Sequence, residues 1–324
     1  MLSLVIPCYN EAEVLALTYG ALVEAATDWH EPVEIILVDD GSTDETWSII
    51  ESLARRDTRV RGIRLARNFG HQAALGAGLE VARGDAVVTL DADLQDPPNL
   101  IEQMMARWRQ GYEIVYAQRT RRHGESMFKK VAGHLFYRLL DRVNTVSMPR
   151  NTGDFALFDA RVVRILRQFR EHALFWRGLR CWSGFRQTAV YFDRPGRARG
   201  KTKYTLRKLV KLASDGLLSF SPLPLRLAFY AGTLVLVGTL LTTLGAALWR
   251  LGVPGVTPWP ISPAVFAAFY LGSVQLICLG IIGEYLNRIY DEVRDRPRWI
   301  VDKTLGMTEA EASKSDEQRP RLAG

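Results

Sequence analysis

Acidic residues stand repeatedly where short apolar runs of this 324-residue chain stop. The first run, Leu2–Ile6, leads into Pro7-Cys8-Tyr9-Asn10-Glu11. The second ends in Asp39-Asp40-Gly41-Ser42, and a later one, Ala86–Leu90, in Asp91-Ala92-Asp93-Leu94-Gln95-Asp96. Two carboxylates one residue apart set oxygen ligands side by side, and a hard divalent cation held there neutralises a diphosphate. Asp91 and Asp93 are the candidates, with Gln95 as a neutral oxygen ligand, direct or through water. A lone D-x-D also has a bland reading, since acidic residues cap turns and helices. Asp39-Asp40-Gly41-Ser42 divides in the same way. Ser42 and Thr43 are suitable helix caps with Glu45 early in the next helix, while Asp39 and Asp40 can accept hydrogen bonds from a ribose or a base. Tyr9 can stack on a base with Pro7 shaping its slot, or both can be ordinary packing. No G-x-G-x-x-G follows the first run, which argues against a dinucleotide-binding dehydrogenase, because that chemistry needs glycine amides at a helix N-terminus.

The elements that must carry these residues follow from periodicity. Leu2–Ile6 and Glu34–Asp39 read as strands with a helix, Glu11–Ala26, between them. The pattern repeats as helix Asp44–Arg55, strand Val60–Leu65, helix Gln72–Arg83, strand Ala86–Leu90, helix Pro97–Gln110 and strand Glu113–Ala117. This alternation predicts an α/β fold with a mostly parallel, doubly wound sheet. In such a sheet ligands bind beyond the carboxyl ends of the strands, where the acidic residues lie.

The rest of the chain is more apolar and more basic. Apolar residues from Met127 to Leu140 recur at helical spacing with Lys129, Lys130, Arg138 and Arg142 between them, so 125–143 is either a helix packed on the sheet or one lying on a membrane surface. The stretch 204–224 repeats the theme. Leu227–Trp249 and Val253–Gly283 carry no charge, and each meets the ~20-residue span a bilayer requires. Prolines at 254, 258, 260 and 263 push the second helix to about 264–283. Basic residues cluster before the first span and after the second, which predicts both termini on the cytoplasmic side. The expected organisation is a catalytic domain over 1–203, an interfacial helix over 204–224, two spans within 225–286 and a cytoplasmic tail over 287–324 with a disordered end. A net charge of +7 suits phosphorylated substrates, anionic lipid or nucleic acid without choosing among them. The cysteines, Cys8, Cys181 and Cys278, have no C-x-x-C spacing and suggest neither a disulfide framework nor a zinc site.

Taken in order, P-C-Y-N-E, V-D-D-G-S-x-D, D-A-D-L-Q-D-P-P, N-T-G-D-F-A-L, G-K-T-K-Y and G-E-Y-L-N-R-I-Y-D-E-V carry a resemblance. The chain resembles a polyprenyl-phosphate glycosyltransferase of the dolichyl-phosphate-mannose-synthase-like branch of the family-2 inverting glycosyltransferases. The resemblance implies a GT-A, Rossmann-like fold for nucleotide-sugar binding, Mg²⁺ or Mn²⁺, and a cytoplasmic active site on a multi-pass inner-membrane protein. It implies transfer of a sugar from a UDP- or GDP-sugar, UDP-glucose-like first, to undecaprenyl or dolichyl phosphate. By position, Pro7, Tyr9, Glu11, Asp39 and Asp40 match nucleotide-binding motifs, and Asp91, Asp93 and Gln95 match the metal and diphosphate site. Arg119 matches a basic residue that contacts the diphosphate. Arg122 and Ser126, with Lys201 and Lys203, resemble the acceptor-phosphate contacts. Asp154 either orients the acceptor, binds a sugar hydroxyl or caps the turn with Gly153. A lipid phosphate is largely ionised at neutral pH, so no strong general base is needed. The same resemblance suggests a homo-oligomer, while a nucleic-acid binder is a weaker rival because the basic residues cluster beside the apolar segments rather than among exposed aromatics. The rival readings are a processive polysaccharide synthase, which two spans and the lack of Q-x-x-R-W argue against, and a non-catalytic sugar-nucleotide-binding scaffold.

Overall fold

The structure is a computed structural model that describes residues 1–120, 149, 151–169, 171, 174–193, 230, 232–235, 237–238, 263–294 and 296–307. The expected helices over 125–143 and 204–224 therefore lie outside the described residues, as do Arg122, Ser126, Lys201 and Lys203.

The described elements run β1 (Leu2–Cys8), α1 (Leu15–Ala26), β2 (Val33–Asp39), α2 (Thr46–Arg56), β3 (Val60–Leu65), α3 (His71–Val81) and β4 (Ala86–Thr89). They continue with α4 (Leu100–Arg109), β5 (Ile114–Arg119), β6 (Thr152–Asp159), α5 (Ala160–Leu166), α6 (Trp176–Trp182), β7 (Gln187–Phe192), α7 (Pro263–Val293) and β8 (Val301–Leu305). The strands form one sheet in the order β7-β5-β6-β4-β1-β2-β3-β8. β1 is parallel to β2 and β4, β2 to β3, and β5 to β7, while β6 and β8 run antiparallel to their neighbours. The expected α/β architecture with a mostly parallel sheet is thus present. β1 reads LSLVIPC and is buried along its whole length, as a central strand covered on both faces must be.

Close packing explains the small residues of α3. A Cβ at Gly78 would come within 2.3 Å of Val5 Cγ1, and one at Gly76 within 2.7 Å of the Trp299 ring. Only glycine at these two points lets the helix sit this near β1 and under the indole. Trp299 is buried just ahead of β8, which pairs with β3 at the sheet's edge. The stretch 287–324, read from sequence as a tail, thus supplies the end of α7 and a strand of the sheet.

Two compact units divide the chain: residues 1–142, 146–212 and 296–324 form one, and 143–145 with 213–295 the other. The second unit requires a correction. The multi-pass reading with two spans is overturned: among the described residues no helix is long and apolar enough to cross a membrane. The first expected span lies outside the described residues except at 230, 232–235 and 237–238. The second falls in α7, whose 31 residues continue through Glu284, Arg288, Asp291 and Glu292.

Candidate active site

The loops after β1 and β2 are built against each other at the carboxyl edge of the sheet. Asn10 takes a left-handed conformation with φ 52°. Its N–H donates to Ser42 Oγ at 3.0 Å, while its own Oδ1 accepts from the Thr43 amide at 2.9 Å. The Glu11 amide donates to Thr46 Oγ1 at 2.9 Å and the Ala12 amide to Asp44 Oδ2 at 3.2 Å. Ser42 and Thr43, expected as helix caps, are thereby engaged with Asn10. Asp44 takes over the cap's task, its Oδ1 accepting from the Thr46 amide at 3.0 Å. Pro7 is buried within β1, and Tyr9 stands at the rim with its ring partly exposed.

Asp39 and Asp40 both point inward. Asp39 Oδ1 accepts from the Ser42 amide at 2.9 Å, and its Oδ2 lies 3.5 Å from Arg64 Nε. Asp40 reaches across to the loop after β3, where Oδ1 accepts from the Phe69 amide at 2.8 Å and Oδ2 from the Gly70 amide at 3.0 Å. Burial raises the Asp40 carboxyl to about 6, against the opposing pull of those two amides. Gly41, at φ +66°, completes the clamp, since a Cβ there would stand 2.4 Å from the Arg67 carbonyl carbon. The pair therefore holds the loop that delivers α3 to the site.

Beyond β4 the acidic turn is fixed from within. The Asp91 amide donates to Asp96 Oδ2 at 3.1 Å, the Gln95 amide donates to Asp93 Oδ1 at 3.1 Å, and Leu94 adopts φ 58°. Thr18 Oγ1, from α1, donates to the Ala92 carbonyl at 2.6 Å. Asp91 keeps 35% of its side chain exposed and faces His71, whose Nε2 lies 3.5 Å from Asp91 Oδ1. No group of three or more His, Cys, Asp or Glu among the described residues is arranged to hold a metal by itself. Asp91 and Asp93 nonetheless fit a divalent ion of the Mg²⁺ type, which is bound through one or two carboxylates together with substrate phosphates and water.

His71 Nε2 also lies 3.5 Å from Asp154 Oδ2. Asp154, on β6 and with only 8% of its side chain exposed, is gripped by a two-pronged contact from Arg177: Nε to Oδ1 and Nη2 to Oδ2, both at 2.9 Å. Gln72 Nε2 adds a bond to Oδ2 at 3.1 Å. Thr89, the last residue of β4, donates its hydroxyl to the Asp154 backbone carbonyl. Enclosure by itself would raise the Asp154 carboxyl, but the Arg177 charge and the His71 contact outweigh it and hold the group well below the ordinary carboxylate range. Desolvation likewise opposes protonation of His71, although its side chain stays partly exposed, yet the contact with Asp154 and the charges of Asp91 and Asp154 raise it to about 9. Asp91 moves upward, first through desolvation and then through its Asp154 and Asp93 neighbours.

Arg119 and Arg180 close the cationic side. The Arg119 amide donates to the Asn151 carbonyl at 3.1 Å, and a Cβ at Gly153 would meet Arg119 Nη2 at 3.3 Å, which sets this guanidinium beside the Asp154 segment. Arg180 is 1% exposed, donates from Nη1 to the Gly153 carbonyl at 3.3 Å and stacks its guanidinium 4.9 Å from the Tyr116 ring centre. Sequence reasoning missed His71, Gln72, Asp96, Arg177 and Arg180. His71 carried a usable signal, since it follows the end of β3 on the ligand-bearing edge. Arg177 carried none: nothing in its local sequence announces the partner on β6.

The family model described as "Glycosyl transferase family 2" matches residues 3–166. The chain is 44% identical over 306 residues to the "Uncharacterized glycosyltransferase YkcC" of Bacillus subtilis, with 94% of each chain covered. It is 41% identical over 310 residues to the "Uncharacterized glycosyltransferase sll0501" of Synechocystis, covering 94% of this chain and 96% of that one. It is also 37% identical over 306 residues to the "SfII prophage-derived bactoprenol glucosyl transferase" of Shigella flexneri, covering 94% and 98%.

Proposed function

The chain belongs to glycosyl transferase family 2 and is a glycosyltransferase with a GT-A-like α/β fold, and from this premise we propose that it moves a sugar from a nucleotide diphosphate onto a polyprenyl phosphate. UDP-glucose is the favoured donor and undecaprenyl phosphate the favoured acceptor. Similarity over nearly the whole chain to a bactoprenol glucosyl transferase supports this acceptor class. The observation that carries the reading is the placement of Asp91, just past the end of β4 and beside Asp93 in sequence, with its Oδ1 3.5 Å from His71 Nε2, while the same nitrogen faces Asp154, which Arg177 grips.

Pro7, Tyr9 and Glu11 line the nucleotide side, and Asp39 and Asp40 keep its loops in place. Asp91 and Asp93, with Gln95, would hold Mg²⁺ or Mn²⁺, which when bound would supply charge stabilisation to the departing nucleotide. Arg119 adds a fixed positive charge on the same side of the reacting bond. The acceptor attacks through a phosphate oxygen whose second pKa lies near ~6, so it arrives ionised. Direct attack opposite the leaving group inverts the anomeric carbon and yields a lipid-linked phosphosugar. Arg122, Ser126, Lys201 and Lys203 are proposed for the acceptor phosphate. The exposed apolar side chains of α7, among them Leu276, Ile277 and Leu279, support contact with lipid.

The test is transfer of labelled sugar from UDP- and GDP-sugars to undecaprenyl phosphate with Mn²⁺ or Mg²⁺. Metal-dependent labelling of lipid by the wild type is expected, with Asp93→Ala reduced by about 100-fold or more. Nucleotide binding without labelling of lipid from any donor would favour the scaffold.

A further inference from the structure

We propose that His71 is a positioning residue for the donor's diphosphate site: the Asp154 carboxylate holds it, it holds Asp91, and Asp154 therefore acts as an anchor and takes no proton from the acceptor. This deepens the reading above and rests on Asp91 facing the donor's diphosphate.

The contacts of Asp154 carry the argument. Its Oδ1 accepts from Arg177 Nε at 2.9 Å, and its Oδ2 accepts from Arg177 Nη2 at 2.9 Å and Gln72 Nε2 at 3.1 Å, with His71 Nε2 at 3.5 Å. A carboxylate offers about four lone-pair sites; three N–H groups hydrogen-bond to this one, and His71 Nε2 adds an ionic contact at 3.5 Å. A general base must have an oxygen within hydrogen-bond reach of the proton it removes. With 8% of its side chain exposed and both oxygens engaged, Asp154 is built to hold cations in place.

The grip extends into the helix that bears the histidine. Gln72 Oε1 accepts from the Trp176 amide at 3.1 Å, and the Trp176 indole N–H donates to the Gln72 carbonyl at 2.8 Å. The starts of α3 and α6 are thus locked together immediately beside Arg177 and His71. His71 then stands with Nε2 3.5 Å from Asp154 Oδ2 and 3.5 Å from Asp91 Oδ1, between two carboxylates that would otherwise repel each other. Asp91 is oriented by this contact on its side chain and by Asp96 on its amide. Positioning of a ligand by a partner one contact away typically changes affinity by about 10- to 100-fold.

The experiment measures Mn²⁺-dependent UDP binding by titration calorimetry and steady-state sugar transfer on the full-length protein, with a melting curve for each variant. His71→Ala is expected to weaken Mn²⁺–UDP binding about 10-fold or more, and His71→Gln, which keeps an N–H at similar reach, to recover most of it. Asp154→Asn is expected to weaken binding as well, and the double variant His71→Ala with Asp154→Asn to bind no worse than about 2-fold below His71→Ala, because residues acting through one chain are not additive. Where His71→Ala fails to fold, Arg177→Lys, which keeps the charge and loses the fork, is expected to weaken binding about 5-fold or more. Wild-type binding retained by His71→Ala overturns the proposal. So does an Asp154→Asn protein that binds Mn²⁺–UDP normally yet transfers no sugar, which would make Asp154 a base. Absence of Mn²⁺–UDP binding by the wild type sinks the donor reading itself, an outcome distinct from either of these.

Discussion

Asp40 shows how one side chain can be functional in position and structural in action. It lies in the D-D-G-S turn at the edge where ligands bind, but its oxygens are taken by the Phe69 and Gly70 amides. Its carboxyl, raised to about 6, stays protonated in the folded protein at pH values where the unfolded chain has released the proton. The folded state therefore binds more protons between the two pKa values. The stability this group contributes is present below about pH 4 and is lost as pH rises through about 6. Urea unfolding across that window should show wild-type stability falling relative to Asp40→Asn by about 1 to 3 kcal/mol, with the variant's curve the flatter of the two. Parallel curves would mean that Asp40 titrates normally.

At the scale of the element, α3 carries the site and is itself held by what lies behind it. Its N-terminal residues His71 and Gln72 reach Asp154, while Gly78 in its third turn lies against Val5 of β1. A methyl group at Gly78 would meet Val5 Cγ1 at 2.3 Å, so either the helix or the strand must shift. Gly78→Ala is expected to destabilise the fold by about 1 to 3 kcal/mol even though alanine is the better helix former. Thermal unfolding checks this. A variant at least as stable as the wild type would show that the contact relaxes without strain.

For the first compact unit as a whole, the return of the chain after α7 matters most. Residues 296–305 bring Trp299 over Gly76 and add β8 to β3, and Arg298 donates from Nη1 to the Phe169 carbonyl at 2.6 Å. Truncation after Asp295 removes a buried indole and bares the edge of β3. Loss of a buried tryptophan alone costs about 3 to 5 kcal/mol, and an uncovered strand edge invites pairing between copies. The truncated protein is expected to melt lower by about 6 °C or more and to aggregate, measured by calorimetry and light scattering. An unchanged melting temperature would mean that β8 is an ornament of the edge.

The sequence by itself determined the alternation of strands and helices through Leu65, because β1, β2 and β3 are buried apolar runs and the helices between them show turn residues at their ends. It also determined that Asp91, Asp93 and Gln95 stand where a strand stops, since strand ends are set by local composition. It did not determine the insertion of β6 between β4 and β5, or the pairing of β8 with β3, because strand order depends on contacts between residues far apart in the chain. For the same reason the partners of Asp154 were not legible. His71, Gln72 and Arg177 lie 82 to 83 residues before it and 23 after it, and periodicity carries no signal over such separations. The tertiary structure alone decided that a carboxylate read as a possible acceptor contact is enclosed by cations, and what a carboxylate does is set by the charges packed around it.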